Sequence, residues 1–410
     1  MRQIFLAFIV LSISAPVYLQ MPDLVFTEIA NEEELSSSFT NCIAQDSTGY
    51  IWIGTTDGLN RFDGYNIKVY KHKPDDKSTL VHDNISCLFH DSKGRLWVGS
   101  KFGLCIFNRS FDSFDRIVSI DDSSGLKNIG IKQIGEDHKK RIFVASGGQI
   151  YAFDEYTSVF KKLVTIAHGE ISSFLFDNEN NLWIGSYHGG GLYYYNRNKK
   201  EMKRFIHDEN NPNSISNNTV MSVALLDNKI WISTDGGGKN SYDIVTGRFK
   251  RYPVTDSYEI YGRKVYVDRK NNLWSLDLTG LKFYNSNTDQ FYGYYYYKDD
   301  PFTIKKNIVA LFQDRQDNYW TLHSPGGVGF SKLPKGFLSF SDNPSEYWHT
   351  SNENISAICE DSHGNLWLGN PNNGIDVFYW SKGRTITYLY DSDDKYSLGK
   401  GSVNTIFRDS

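Results

Sequence analysis

The chain has little cysteine. Its four residues, Cys42, Cys87, Cys105 and Cys359, show no CxxC or other metal-ligand spacing. That excludes a disulfide-dense scaffold and a thiolate zinc site. Proline is equally scarce, ten in 410 residues, while aromatic residues make up 15%. Few prolines beside so many aromatics exclude a disordered or collagen-like chain and favour packed β-structure. Basic charge is not in excess either: 44 Lys and Arg face 48 Asp and Glu, a net charge of −4. A nucleic-acid surface calls for the opposite balance. Mean hydropathy is −0.47, which excludes a multi-pass membrane protein. The ten histidines are scattered without HExxH or a similar metal spacing. Asp235-Gly236-Gly237-Gly238-Lys239 lacks P-loop spacing, and the acidic stretch Asp391 to Asp394 lacks that of an EF-hand. These absences predict no metal, no cofactor and no catalytic constellation.

At the N-terminus, Arg2 precedes an apolar run from Ile4 to Ile13 and the small-residue stretch Ser12 to Ala15. A basic region, a short apolar core and small residues form a secretory signal, expected over 1–20. The run is half of the roughly 20 residues a membrane-spanning helix requires. No later segment could span a bilayer, so the expectation is an exported chain.

What is present is a repeat. Residues 43–63 read IAQDSTGYIWIGTTDGLNRFD and residues 88–108 read LFHDSKGRLWVGSKFGLCIFN. The pattern returns at 176–196 and 359–378, and more weakly at 267–284 and 313–330. Its anchoring aromatics are Trp52, Trp97, Phe143, Trp183, Trp231, Trp274, Trp320 and Trp367, spaced 45, 46, 40, 48, 43, 46 and 47 residues apart. Seven copies hold a turn Asp six positions before the anchor; in the fifth, Asp227 to Trp231, the turn is two residues tighter.

Each copy reads as a small antiparallel sheet. An apolar strand such as Ile85 to Phe89 runs into Asp-x-x-Gly, a tight reversal in which Gly takes positive φ. Where Gly is missing, Asn180, Asn271 and Asp317 stand, the residue types that best tolerate that conformation. The next strand, Ile51-Trp52-Ile53-Gly54, is apolar on both faces, as a strand covered on both sides must be. A second reversal at Asp57-Gly58 leads to a third strand, and Ile67 to Tyr70 forms a fourth. Four short strands per 40 to 48 residues predict an all-β chain of β-propeller blades.

The core Asp-x-x-Gly-x-Leu-Trp-Ile-Gly-Thr-x-x-Gly-Leu-x-x-Phe/Tyr-Asp resembles the two-component regulator propeller repeat, from about residue 24 to residue 410. The resemblance is strong in the first, second, fourth and eighth copies. It drifts where Phe143 replaces Trp and where Leu276 and Leu322 replace the motif Gly. It implies the periplasmic sensor half of a hybrid two-component histidine kinase, with a glycan-derived oligosaccharide as ligand. Homodimerisation and an inner-membrane anchor would belong to the parent protein, as would the kinase; this stretch itself would be no enzyme and would contact no nucleic acid. Alternatives on the same scaffold are a polysaccharide-active lyase or glycosidase and a protein-interaction scaffold.

The expected organisation is a signal over 1–20, one seven-bladed ring of four-stranded blades over 21–340, and the first blades of a second propeller over 341–410. Residues 403–410 align with Ile85 to Ser92, which predicts a ninth repeat broken off within its first turn. A single eight-bladed ring would leave that ninth unit without a place. The loop leading into each first strand and the second reversal should share one rim. That rim would collect Asp57, Lys101, Phe102, Tyr187, His188, Asp235, Lys239, Tyr261, Arg263, Thr279, His323 and Asn372. Aromatic faces with polar side chains between them suit a sugar, whose apolar face stacks on a ring while its hydroxyls hydrogen-bond. The tyrosines of 193–195 and 294–297 are expected mainly to pack between blades.

Overall fold

In the computed structural model the chain divides into two units, 1–333 and 334–410. The described residues are 24, 26–30, 33–117, 130–254, 257–294, 307–331, 350–351, 354–363, 365–371, 374–379 and 384–409. The N-terminal signal expected over 1–20 and Tyr295 to Tyr297 lie outside them. All regular structure among the described residues is β-strand, arranged in four-stranded antiparallel sheets. None of these residues forms a helix long and apolar enough to cross a membrane.

Sheet one comprises Thr40–Gln45, Ile51–Thr55, Gly58–Phe62 and Ile67–Tyr70, paired in chain order. Sheets two to six repeat it, with first strands Ile85–His90, Gln133–Glu136, Ile171–Phe176, Val220–Leu226 and Gly262–Val267. Sheet seven is completed differently. Ile308–Gln313, Tyr319–His323 and Val328–Ser331 take as fourth strand the N-terminal segment Thr27–Ala30. First strands of successive sheets lie side by side, and that of sheet seven lies against that of sheet one. There Thr40 Oγ1 donates to His323 O (2.9 Å) and Arg315 N donates to Gln45 Oε1 (2.9 Å). The unit of 334–410 holds an eighth sheet: Ala357–Glu360, Leu366–Asn370, Gly374–Tyr379 and Arg384–Tyr388.

The repeat signature has a local chemical cause. Asp46 Oδ1 accepts the backbone N–H groups of Thr48, Gly49 and Tyr50, while its Oδ2 accepts the indole N–H of Trp52 at 2.9 Å. One carboxylate thus closes the turn and orients the anchor six residues on. The same Asp–indole bond recurs at Trp97, Trp183, Trp274, Trp320 and Trp367, at 2.8 to 3.1 Å. Burial raises the Asp46 and Asp91 pKa values, but these hydrogen bonds outweigh it and hold both carboxyls below the usual range. In the turn, Gly49 and Gly94 take positive φ, as do Asn180 (66°), Asn271 (61°) and Asp317 (68°), in agreement with the sequence.

Each second strand, from Ile51–Thr55 to Tyr319–His323, is buried along its length apart from the leading Lys229 of the fifth. The seven anchors of this unit are at most 5% exposed, whereas Trp367 in the C-terminal unit is half-buried. Tyr193 and Tyr195 are buried and Tyr194 half-buried, consistent with packing between sheets. The motif glycine is required by close approach of the next sheet. A Cβ on Gly54 would lie 2.5 Å from Cys42 Sγ and 2.6 Å from Ile85 Cγ2, and one on Gly99 would lie 2.4 Å from Cys87 Sγ. In the C-terminal unit Val403 stands 2.8 Å from the corresponding position at Gly369, where the alignment with Ile85 places it. The four cysteines are free thiols.

Two drifting copies are solved differently. Phe143 has no indole N–H, and Asp137 Oδ2 is bonded instead by Arg141 (2.6 Å) and Arg197 (3.0 Å). Against the raising effect of burial, these guanidiniums bring the Asp137 pKa down to about 2. In sheet five the shortened turn places Asp227 and Asn228 alone between paired Leu226 and Lys229. No carboxylate reaches Trp231, and its buried Nε1 has no partner.

Candidate functional site at the rim

Antiparallel pairing places the start of each first strand beside the second reversal of the same sheet, and backbone bonds join the two. Thr56 N donates to Phe39 O, Lys101 N to Asn84 O, Tyr187 N to Glu170 O, Asp235 N to Thr219 O and Ser324 N to Asn307 O. One rim therefore carries most of the residues singled out in the sequence, but not on equal terms.

At sheets one and two the groups are open. Asp57 is exposed and ion-paired to Lys71 at 2.6 Å. Lys101 is exposed, and Phe102 meets the ring of His82 edge-on at 4.7 Å. His82 is held below the usual histidine range by burial first, then by the nearby His72 and Lys101, against the opposing charge of Asp83. At sheet four, Tyr187 is half-buried beneath the Lys132 ammonium of sheet three, 4.7 Å from the ring centroid. His188, exposed and in the left-handed region (φ 53°), holds its ring 6.1 Å from that of Tyr187.

Sheets five and six gather the densest group. Asp235 and Tyr261 pair through their backbones, and Tyr261 and Tyr258 present exposed rings. Arg263 and Lys264 follow on the first strand of sheet six. Lys264 is solvent-accessible, yet desolvation pushes its ammonium below the usual lysine range, against the opposing influence of Cys42. Thr279 is half-buried and bonded through its backbone N–H to Asp277 Oδ1 (2.9 Å).

Two expected rim residues are not at the surface. Lys239 is buried because it occupies the slot filled elsewhere by Leu59, Leu104, Leu192 and Leu281, and its Nζ reaches Asp277 Oδ2 at 2.9 Å. Lys282, ion-paired with Glu259, lies 4.0 Å from the same oxygen. His323 is also buried, its Nε2 3.0 Å from Thr321 Oγ1, where sheet seven meets sheet one. Asn372 lies outside the described residues. His82, Lys132, Tyr258 and Lys264 belong to the rim although sequence reasoning did not select them. They sit in leading loops and first strands, whose lengths vary among the copies. The Lys239–Asp277 pair did leave a signal: a lysine in a leucine slot and an aspartate in a Ser/Thr slot, in neighbouring repeats. Among the described residues no group of three His, Cys, Asp or Glu could hold a metal ion.

The sequence model of the two-component regulator propeller matches residues 34–57, 79–102, 165–188 and 350–372. A histidine kinase, P4, of Formosa agariphila is 36% identical over 77 residues, 19% of this chain and 5% of that protein. Two solved structures from B. thetaiotaomicron share the fold. The extracellular domain assigned to the hybrid two-component system BT3049 has a TM-score of 0.70 at 22% identity, covering 90% of this chain and 49% of that one. The extracellular domain assigned to a one-component system, BT4673, has a TM-score of 0.60 at 19% identity, covering 95% and 50%. The chain thus spans about half the length of these structures and a small part of the kinase.

Proposed function

From a chain built of two-component regulator propeller repeats, we propose an exported, ligand-sensing propeller that binds an oligosaccharide released from a glycan. Residues 21–340 form the ligand-binding seven-bladed ring in this reading, and 341–410 begin a second. The observation that carries it is the rim. Tyr187 under Lys132, Tyr261 beside Asp235, and Phe102 against His82 are aromatic faces flanked by polar groups, and none fills a slot the repeat needs for packing. Such faces stack on a sugar ring while neighbouring side chains bond its hydroxyls.

Asp57, Lys101, Asp235 and Arg263 supply the polar contacts in this reading; buried Lys239 and His323 support the mouth from behind. No reaction is assigned to this chain. Ligand favours one arrangement of propellers in a dimeric, membrane-anchored parent protein, and that preference biases its histidine kinase across the inner membrane. The support is the repeat match, the fold shared with extracellular domains and the local match to a histidine kinase. A glycan array followed by calorimetry and product analysis tests it. Saturable binding of an oligosaccharide recovered intact supports sensing; cleavage of the glycan would replace it with an enzyme.

A further inference from the structure

The seam between sheets three and four is closed by an arginine on the face opposite the rim. Arg197, just after the third strand of sheet four, bonds Asp137 Oδ2 (3.0 Å) and Asn180 O (3.2 Å). Its guanidinium lies 5.2 Å from the ring of Phe143 and 5.3 Å from that of Phe176. The next seam lacks both parts of this closure. The place of Arg197 is taken by Ile244, and the turn that would carry the counterpart of Asn180 is two residues shorter. A cavity of about 390 Å³ opens there, lined among others by Trp183, Tyr194, Phe205, Tyr242 and Asp177, the counterpart of Asp137.

Asp177 is 5% exposed, and its Oδ2 accepts the Trp183 indole N–H. Among the described turn aspartates that stand six residues before an anchor in this unit, every other Oδ2 has a second polar partner. Asp46 has Arg109 at 3.4 Å, Asp91 has Arg95, and Asp137 has Arg141 and Arg197. Asp268 has Asn272 and Tyr319, and Asp314 has Asn318. Asp177 therefore brings unused acceptor capacity to a cavity walled by aromatic rings. Glu179 and Lys203 are the other charged lining groups, so the lining carries one net negative charge; the Lys203 ammonium stands over Phe205 at 4.6 Å.

We infer that this seam binds a small guanidinium-bearing molecule in the place that Arg197 fills one seam earlier. A planar cation satisfies the carboxylate by charge-assisted hydrogen bonds and lies against the rings by cation–π attraction. The inference is independent of the rim. Calorimetric titration with methylguanidine tests it, with urea as the neutral planar control and glucose as the saccharide control. Methylguanidine is expected to bind saturably at one site, with urea and glucose at least about tenfold weaker, the discrimination of a paired charge. Ile244→Arg supplies the guanidinium within the chain and is expected to abolish binding. Tyr242→Leu, which removes one ring, is expected to weaken it about tenfold, and Tyr242→Phe to leave it unchanged. Equal affinity for methylguanidine and urea, undiminished binding in Ile244→Arg or Tyr242→Leu, or a preference for glucose would overturn it.

Discussion

Replacing Trp97 and Trp231 separately with phenylalanine isolates the role of the turn carboxylate. Both indoles are buried, at 0% and 2% exposure, and both lie among aromatic rings: Phe153 and Phe160 beside Trp97, Tyr252 and Tyr284 beside Trp231. The ring-size loss is therefore similar at the two sites. The hydrogen bonds are not. Trp97 Nε1 donates to the buried carboxylate of Asp91 at 2.8 Å, whereas Trp231 Nε1 is buried without a partner. A hydrogen bond to a charged group contributes roughly 1.5–3 kcal/mol, and removing an unpaired buried donor relieves a penalty of about 1–3 kcal/mol. Trp97→Phe should therefore cost about 2 kcal/mol or more beyond Trp231→Phe. At about 2–4 °C per kcal/mol for large domains, the two melting temperatures should differ by roughly 4–8 °C. Thermal unfolding followed by far-UV circular dichroism reads this without relying on the altered tryptophans. Equal losses, or a larger loss at Trp231, would refute the account of the repeat signature.

Three further outcomes follow from the same geometry. Asp137 ionises near pH 2 when folded against about 3.9 when unfolded, so its stabilisation is complete above about pH 4 and lost as pH falls toward 2. Asp137→Asn should be less stable at neutral pH and show a flatter stability curve in that window, measured by urea unfolding. Gly99→Ala places a methyl 2.4 Å from Cys87 Sγ and 2.9 Å from Ile131 Cγ2, and should cost about 1–3 kcal/mol by urea titration. Cys87→Ala should recover part of that loss. Lys239→Leu removes the nearer cation of the buried Asp277, leaving it Lys282 at 4.0 Å, and should cost about 3 kcal/mol, whereas the double variant with Asp277→Ser restores the residue types of other repeats and should recover most of it. Equal stability of the single and double variants would contradict the buried pairing.

The fold was legible because each copy repeats the same local physics. Asp, anchor and Gly at fixed offsets announce a turn, an indole bond and a close sheet approach, all readable as spacing. Asn180 and Asp317 could be assigned positive φ from residue type alone. Partnerships between copies were less legible, since they depend on which side chains meet across a seam. Arg197 stands 60 residues from Asp137, and nothing local announces that it replaces the missing indole of Phe143. Lys239 looked like a mouth residue because its turn lies on the rim, yet its slot in the third strand points inward. The rim was readable as a face but not as a set of contacts, because leading loops contribute His82, Lys132 and Tyr258 at offsets that differ from copy to copy.

The most direct test of the sensing account is a calorimetric titration of an oligosaccharide, selected on a glycan array, into the wild-type chain and into Tyr187→Ala/His188→Ala/Arg263→Ala. The account predicts saturable binding to the wild type and none to the triple variant. The melting curve should stay nearly unchanged, since exposed or half-buried substitutions of this kind shift stability by only about 0.5 kcal/mol each. Unaltered affinity in a correctly folded triple variant, or no binding by the wild-type chain to any glycan, would contradict it.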